Sequence, residues 1–346
     1  MAEPEKCRVV QWATGNVGSR SLKTVIEHPQ MELVGLYVSS PDKLGKDAGE
    51  LCGLPATGIK AVNQLADVLA AKPDCVIYMR QGTDFDEVCA LLEAGANIVT
   101  TRGDFHHPRA MDPAIRDRVE AACAKGGTSI YSTGSSPGFI TEAISIPLLA
   151  LARRHECLTI DEYADMTSRD SPDMIFNIMG FGVAPGTLDE GKIQYVKHDF
   201  AGSLGQIADA IGLPFDEIEA FGELAAARNT KQIAAGTIEA GTVGAMRITI
   251  VGKHAGKPVL RFRANWYCSD DIAEDWGLRE SGWKVRTEGD TPIEVNITFP
   301  VTPEEYPLFT PGLTAHRAVN AVPIVCKAAP GIRTTVDMAQ VIPQFG

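Results

Sequence analysis

The chain has 346 residues, 45% of them hydrophobic and 22% charged, an ordinary globular composition that excludes a disordered chain or a fibre. Its 32 Lys and Arg against 44 Asp and Glu leave a net charge of −12, and no basic run supplies the positive face that nucleic acids require. The longest apolar stretch, Ala143 to Ala152, is too short for a bilayer and contains Ser145 and Pro147.

Met1 to Lys6 lead into an apolar strand without the basic flank and hydrophobic region of a secretion signal, so a cytoplasmic protein is expected. The eight cysteines are scattered and form no CxxC pair, which reads as reduced thiols without a metal site. Arg8 to Ala13 (RVVQWA) reads as a strand, Ser19 to Glu27 as a helix and Met31 to Val38 (MELVGLYV) as the next strand. Further strands are expected at Asp74 to Met79, Ala96 to Thr101 and Thr128 to Ser132. Helices should precede them at Asn63 to Ala71, Asp84 to Ala94 and Pro113 to Lys125. Strands alternating with helices imply a parallel sheet.

Between the first strand and helix lies Ala13-Thr14-Gly15-Asn16-Val17-Gly18, a G-x-G-x-x-G dinucleotide loop with Ala in its first slot. The middle glycine admits a pyrophosphate close to the backbone, the last lets helix and strand pack, and the helix N-terminus favours the anion. Thr14, Gly15, Asn16, Val17 and Gly18 are therefore candidate cofactor residues. After the second strand come Ser39, Ser40 and, past Pro41-Asp42, Lys43. Two hydroxyls and a cation suit a 2′-phosphate, which favours NADP, while Asp42 keeps NAD open. Arg80, at the end of the next long strand, joins this set.

Beyond Thr133 the pattern changes. A helix is expected from Ile140 to Arg154, strands at Cys157 to Met166, Gly244 to His254, Val259 to Tyr267 and Pro292 to Pro300, and helices at Met174 to Met179, Ser203 to Ile211 and Phe215 to Ala220. Alternating strands suit a sheet with one open face, used for a ligand or a dimer. Leu313 to Ala329 reads as an apolar helix stopped by Pro330-Gly331. The expected fold class is α/β, a Rossmann-type doubly wound parallel sheet with a second α+β domain on a largely antiparallel sheet. Residues 1–140, joined by 310–346, would bind the dinucleotide; residues 141–309 would bind substrate and dimerise.

Gly134-Ser135-Ser136-Pro137-Gly138 is formally a G-x-S-x-G, but the residue after its serine is Pro137, which has no N–H to serve an oxyanion hole. An acyl-transfer elbow is excluded, and a turn at a ligand-facing strand end remains. Arg102-Gly103-Asp104-Phe105-His106-His107 follows the fifth strand, where a carboxylate and an imidazole can reach a nicotinamide edge. His106, Ser136, Pro137, Phe139, Tyr163, Met166 and Phe176 are candidate substrate-pocket residues, with core packing the alternative for the last three.

Taken together, QWATGNVG, TTRGDFHHP, STGSSPGF, SPDMIFNIMGFG and VNAVPIVCKAAPGI resemble the native amine dehydrogenases and 2,4-diaminopentanoate dehydrogenases, relatives of dihydrodipicolinate reductase. The resemblance covers essentially the whole chain. It implies nicotinamide-dependent deamination of an amine, or reductive amination of a ketone or aldehyde with ammonia; a homodimer through the second-domain sheet is also expected. The family's catalytic glutamate falls on Asp104, one methylene shorter. His106-His107 lies in the first domain and is followed by Pro108-Arg109-Ala110, so the lysine-biosynthesis activity of the reductase is not expected. Alternatives are an imine or carbonyl reductase that does not use ammonia, and a non-catalytic NADP sensor.

Overall fold

The computed structural model describes residues 6–302 and 305–345, so the expectation placed on Met1 to Glu5 lies outside the described residues. The chain divides into two compact units, one made of residues through Phe139 together with those from Thr310, the other of Ile140–Phe309.

The N-terminal part runs β1 (Cys7–Trp12), α1 (Asn16–Glu27), β2 (Met31–Tyr37), α2 (Ala48–Cys52), β3 (Ala61–Val62), α3 (Leu65–Ala70), β4 (Cys75–Tyr78), α4 (Phe85–Glu93), β5 (Asn97–Thr100), α5 (Pro113–Gly126) and β6 (Ser129–Ser132). The second unit carries α6 (Ser145–Leu149), β7 (His155–Asp165), α7 (Glu190–Ala210), β8 (Glu217–Ala226), β9 (Lys231–Ile233), β10 (Gly236–Ile238), β11 (Val243–His254), β12 (Lys257–Tyr267), β13 (Gly282–Gly289) and β14 (Ile293–Thr298). Helix α8 (Tyr306–Val325) and β15 (Gly331–Arg333) return the chain to the first unit.

The first sheet is parallel, in the order β15-β6-β5-β4-β1-β2-β3. Strands covered on both faces read as unbroken apolar runs because neither side meets water. Val9 faces a core containing Val25 of α1 and Val319 and Val322 of α8, while Val10 faces one containing Leu91 and Leu92 of α4 and Val119 of α5. Complete burial of such a side chain contributes about 1.5–3 kcal/mol. Capping sets the helix limits: Asp84 accepts from the N–H groups of Asp86 and Glu87 to start α4, and Asp112 with Pro113 starts α5, which Gly127 at φ 67° ends. Strand order reverses between β1 and β4, and ligands lie at such a switch point in open α/β sheets.

The second unit is a six-stranded sheet in the order β14-β13-β7-β12-β11-β8, antiparallel except for β7 beside β12. Helix α7 covers its apolar face, where Phe200 stacks on Phe262 with centroids 4.0 Å apart. This is the expected α/β class with a mixed, mostly antiparallel second sheet.

Three elements depart from expectation. Phe215 to Ala220 is not a helix: Glu217–Ala226 is a strand paired along β11, and Leu224 faces Met246 in its register. Tertiary pairing overrides a local apolar spacing that fits either period. The helix expected from Ile140 to Arg154 is present but shorter: a wider helical stretch through Ile144 runs directly into α6, which ends at Leu149. The short helix expected from Ser203 is the last part of the 21-residue α7, which begins at Glu190 behind its Asp189 cap. Among the described residues no helix is long and apolar enough to cross a membrane.

Candidate active site

The loop after β1 sits at the switch point. Gly15 is the N-cap of α1 and offers no side-chain cap, and the first turn carries no acid, so an anion could meet the helix N–H groups without a competing carboxylate. A Cβ on Gly15 would meet nothing within 4 Å, whereas one on Gly18 would run into the Ala13 carbonyl. The first glycine is therefore open to a ligand, and the second is demanded by strand–helix contact. Buried Gln11 braces the turn, its Nε2 donating to the Ala13 carbonyl at 2.9 Å while Ser21 Oγ donates to its Oε1 at 2.7 Å. These residues fit a dinucleotide pyrophosphate.

Lys43 meets the loop directly. Its Nζ donates to the Thr14 carbonyl at 2.9 Å and to Thr14 Oγ1 at 3.2 Å. Ser39 and Ser40 are exposed beyond β2, and the Ser40 hydroxyl holds the Asp42 carboxyl below its usual range. Arg80 extends from the end of β4 to helix α4, its Nη1 2.6 Å from Glu87 Oε2 and 3.8 Å from Asp84 Oδ2. Its hydrogen bond to the Glu87 carboxylate raises the pKa of Arg80. Its charge is thus engaged by two acids. Trp12 stacks on Tyr37 with ring centroids 3.8 Å apart behind this edge.

The loops after β4, β5 and β6 are laced together. Thr100 Oγ1 donates to the Tyr78 carbonyl at 2.7 Å and accepts from the Arg102 N–H at 3.1 Å, and Ser132 Oγ donates to the Arg102 carbonyl. Asp104 lies in the single turn Gly103–Phe105 thus held, with a side chain 25% exposed. Thr83 Oγ1 donates to Asp104 Oδ2 at 2.6 Å, and Arg102 Nε lies 3.8 Å from the same oxygen. His106 is buried at the end of this turn.

Gly134 to Phe139 form the third loop. The Phe139 N–H donates to the Gly134 carbonyl at 2.8 Å, Gly138 takes φ 114°, and the Ser136–Pro137 peptide is cis. From α8, Thr314 Oγ1 lies 2.7 Å from Ser135 Oγ, and the Arg317 guanidinium sits 5.7 Å from the Phe139 ring centre. Ser136 Oγ is buried and has no hydrogen-bond partner among the described residues.

The first unit therefore brings together Thr14 to Gly18 with Lys43, and Asp104 with the turn that carries His106. Tyr163, Met166 and Phe176 belong to the second unit. Tyr163 packs with Ala225, Ala245 and Tyr267, and Met166 and Phe176 pack around Ile175, Phe181 and Met246. At the end of β7 a cleft of about 330 Å³ is lined by Asp165, Thr167, Glu280, Ser281, Phe299 and Tyr306 among others, and those three residues are not in its walls. Thr83, Gln11, Ser21 and Thr314 went unread in the sequence. The one available signal was Thr83, placed between a glycine and a helix-capping aspartate just after a strand.

Comparison with known proteins agrees with this architecture. Residues 9–106 match the family model of the dihydrodipicolinate reductase N-terminus, and residues 175–344 that of the 2,4-diaminopentanoate dehydrogenase C-terminal domain. An amine dehydrogenase of Streptomyces virginiae is 28% identical over 345 residues, 95% of each chain. A 2,4-diaminopentanoate dehydrogenase of Acetoanaerobium sticklandii is 22% identical over 217 residues, 60% of this chain and 61% of that protein. The solved amine dehydrogenase of Mycobacterium smegmatis shares the fold, with a TM-score of 0.76, 19% identity and 99% of both chains covered. The chain thus resembles, over essentially its whole length, the amine dehydrogenases and 2,4-diaminopentanoate dehydrogenases, relatives of dihydrodipicolinate reductase.

Proposed function

We propose that this protein is a nicotinamide-dependent amine dehydrogenase, an oxidoreductase acting on CH–NH2 groups, that uses NADP(H) and works through Asp104. The observation that carries the reading is a half-buried carboxylate held on a braced turn at the end of β5, on the edge where the sheet also presents its dinucleotide loop.

The chemistry suits that carboxylate. Amination of a carbonyl compound passes through a cationic iminium, and a fixed negative charge stabilises the cation as it develops. Asp104 takes a proton from the attacking nitrogen and returns one to the departing hydroxyl, so that water leaves. The nicotinamide, when bound, supplies hydride to the substrate carbon in this direction and accepts it in the other. Backbone N–H groups from Gly15 to Gly18 would hold the pyrophosphate, and Lys43, already on Thr14, would add positive charge beside it. Ser39, Ser40 and Lys43 support the 2′-phosphate form of the cofactor. His106, Ser136, Pro137 and Phe139 would shape the substrate side in the first unit. The sheet face opposite α7 carries Arg261, Arg263 and Asp161, and is the surface proposed for pairing as a homodimer.

The test is loss of NADPH absorbance with 2-pentanone and pentanal, run with and without ammonium chloride. Turnover should require ammonium and fall about 100-fold or more in Asp104→Asn. Lys43→Ala should raise the KM for NADPH more than that for NADH. Turnover independent of ammonium, or full activity in Asp104→Asn, would reject the assignment.

A further inference from the structure

Asp104 presents its two oxygens unequally. Oδ2 receives the Thr83 hydroxyl at 2.6 Å and has Arg102 Nε at 3.8 Å, and no hydrogen bond to Oδ1 is found among the described residues. Arg102 Nε is buried and has no hydrogen-bond partner among the described residues, so a second donor stands next to the oxygen that Thr83 already holds. The two donors come from different loops. Thr83 follows Gly82, whose φ is 80°, and immediately precedes Asp84, the cap of α4, while Arg102 is pinned through its N–H by Thr100 and through its carbonyl by Ser132. A carboxylate with only two side-chain torsions, gripped on one oxygen from a neighbouring strand's loop, has its other oxygen set in direction.

We propose that Thr83 is the positioning residue of the site: its hydroxyl anchors Oδ2 and thereby makes Oδ1 the oxygen that exchanges protons with the substrate nitrogen. This rests on the reading of Asp104 given above. It also suits a short acid such as aspartate, whose reach is limited. The shorter side chain reaches less far, but a fixed orientation replaces the freedom that an extra methylene would add. A misplacement of about 1 Å in a catalytic group costs on the order of 100-fold in rate, so loss of the anchor should register in turnover.

The experiment compares Thr83→Val, which keeps the shape and loses the donor, with Thr83→Ser, which keeps the donor. Ammonium-dependent NADPH oxidation with 2-pentanone is measured beside Asp104→Asn. Expected are a fall in kcat of about 10- to 100-fold in Thr83→Val, a KM for NADPH within about twofold of the parent, and recovery in Thr83→Ser to within about threefold. Thr83→Ala replaces the valine variant should the latter fail to fold, with the same expectation. Parental kcat in Thr83→Val alongside an inactive Asp104→Asn overturns the positioning role and leaves the function standing. An equal loss in Thr83→Ser also overturns it, because the hydroxyl would then not be the determinant. Full activity in Asp104→Asn, or a parent without ammonium-dependent turnover, removes the function and this role with it.

Discussion

Ala13 occupies the slot where a dinucleotide loop carries its first glycine, and its φ is 75°. A left-handed conformation costs an alanine roughly 1–2 kcal/mol, partly offset in a glycine variant by the looser unfolded chain. Ala13→Gly should therefore leave stability unchanged or raise it by up to about 1 kcal/mol in urea unfolding. Gly18→Ala should act in the opposite sense, costing about 1–3 kcal/mol, because the added methyl meets the Ala13 carbonyl rather than a mobile side chain. Two alanine–glycine exchanges five residues apart with opposite signs would establish the backbone of this loop. The glycines were legible in the sequence, since only a turn between strand and helix explains their spacing. The Gln11–Ser21 brace was not, because it depends on two side chains meeting across ten residues. Asp104 was legible as a carboxylate at a strand end, whereas its hold by Thr83 joins loops after two neighbouring strands and has no local pattern.

The buried central strands of the first sheet could be read, whereas β8, β13 and β15 could not. β1, β4 and β5 carry continuous buried runs at Val9–Trp12, Cys75–Tyr78 and Ile98–Thr100, and such a run has one interpretation. β8 lies at the edge of its sheet with alternate positions half exposed, and its segment IEAFGELA satisfies a helical spacing until β11 selects the strand. β15 has three residues, too few for any periodicity to show. The connection between β2 and β3 illustrates how a short element is held. Asp47 caps α2 and also gathers the far end of the loop, accepting from the N–H groups of Gly49, Thr57 and Gly58 at 2.8–2.9 Å. The Thr57 N–H foremost, with those of Gly49 and Gly58, draws its carboxyl down to about 2 from an ordinary 3.8. A depressed carboxylate pKa stabilises the fold above the ordinary value, and the contribution disappears as pH drops through the folded one. The melting temperature should therefore fall more steeply between pH 4 and pH 2 in the parent than in Asp47→Asn, which has no carboxylate to protonate. Equal slopes in differential scanning fluorimetry would contradict this.

At the scale of the molecule, the first unit is discontinuous. Its parallel sheet ends in β15, which pairs with β6 through Gly331, Ile332 and Arg333, and Ile332 belongs to the core shared by α4 and α5. The Ile332 N–H also donates to Glu120 on α5 at 3.1 Å. Ending the chain after Pro330 removes a buried isoleucine and uncovers the edge of β6. The expected loss of about 3 kcal/mol lowers the melting temperature by about 10 °C, and an unchanged melt would show that the strand is dispensable. The same arrangement has a bearing on how the protein is made. During translation the ribosome delivers β1 to β6 first, then all of the intervening unit, and only at the end the helix and strand that close the original sheet. The nascent chain thus carries an unpaired strand margin through the synthesis of nearly two hundred residues, a period in which chaperone occupancy should concentrate on that margin.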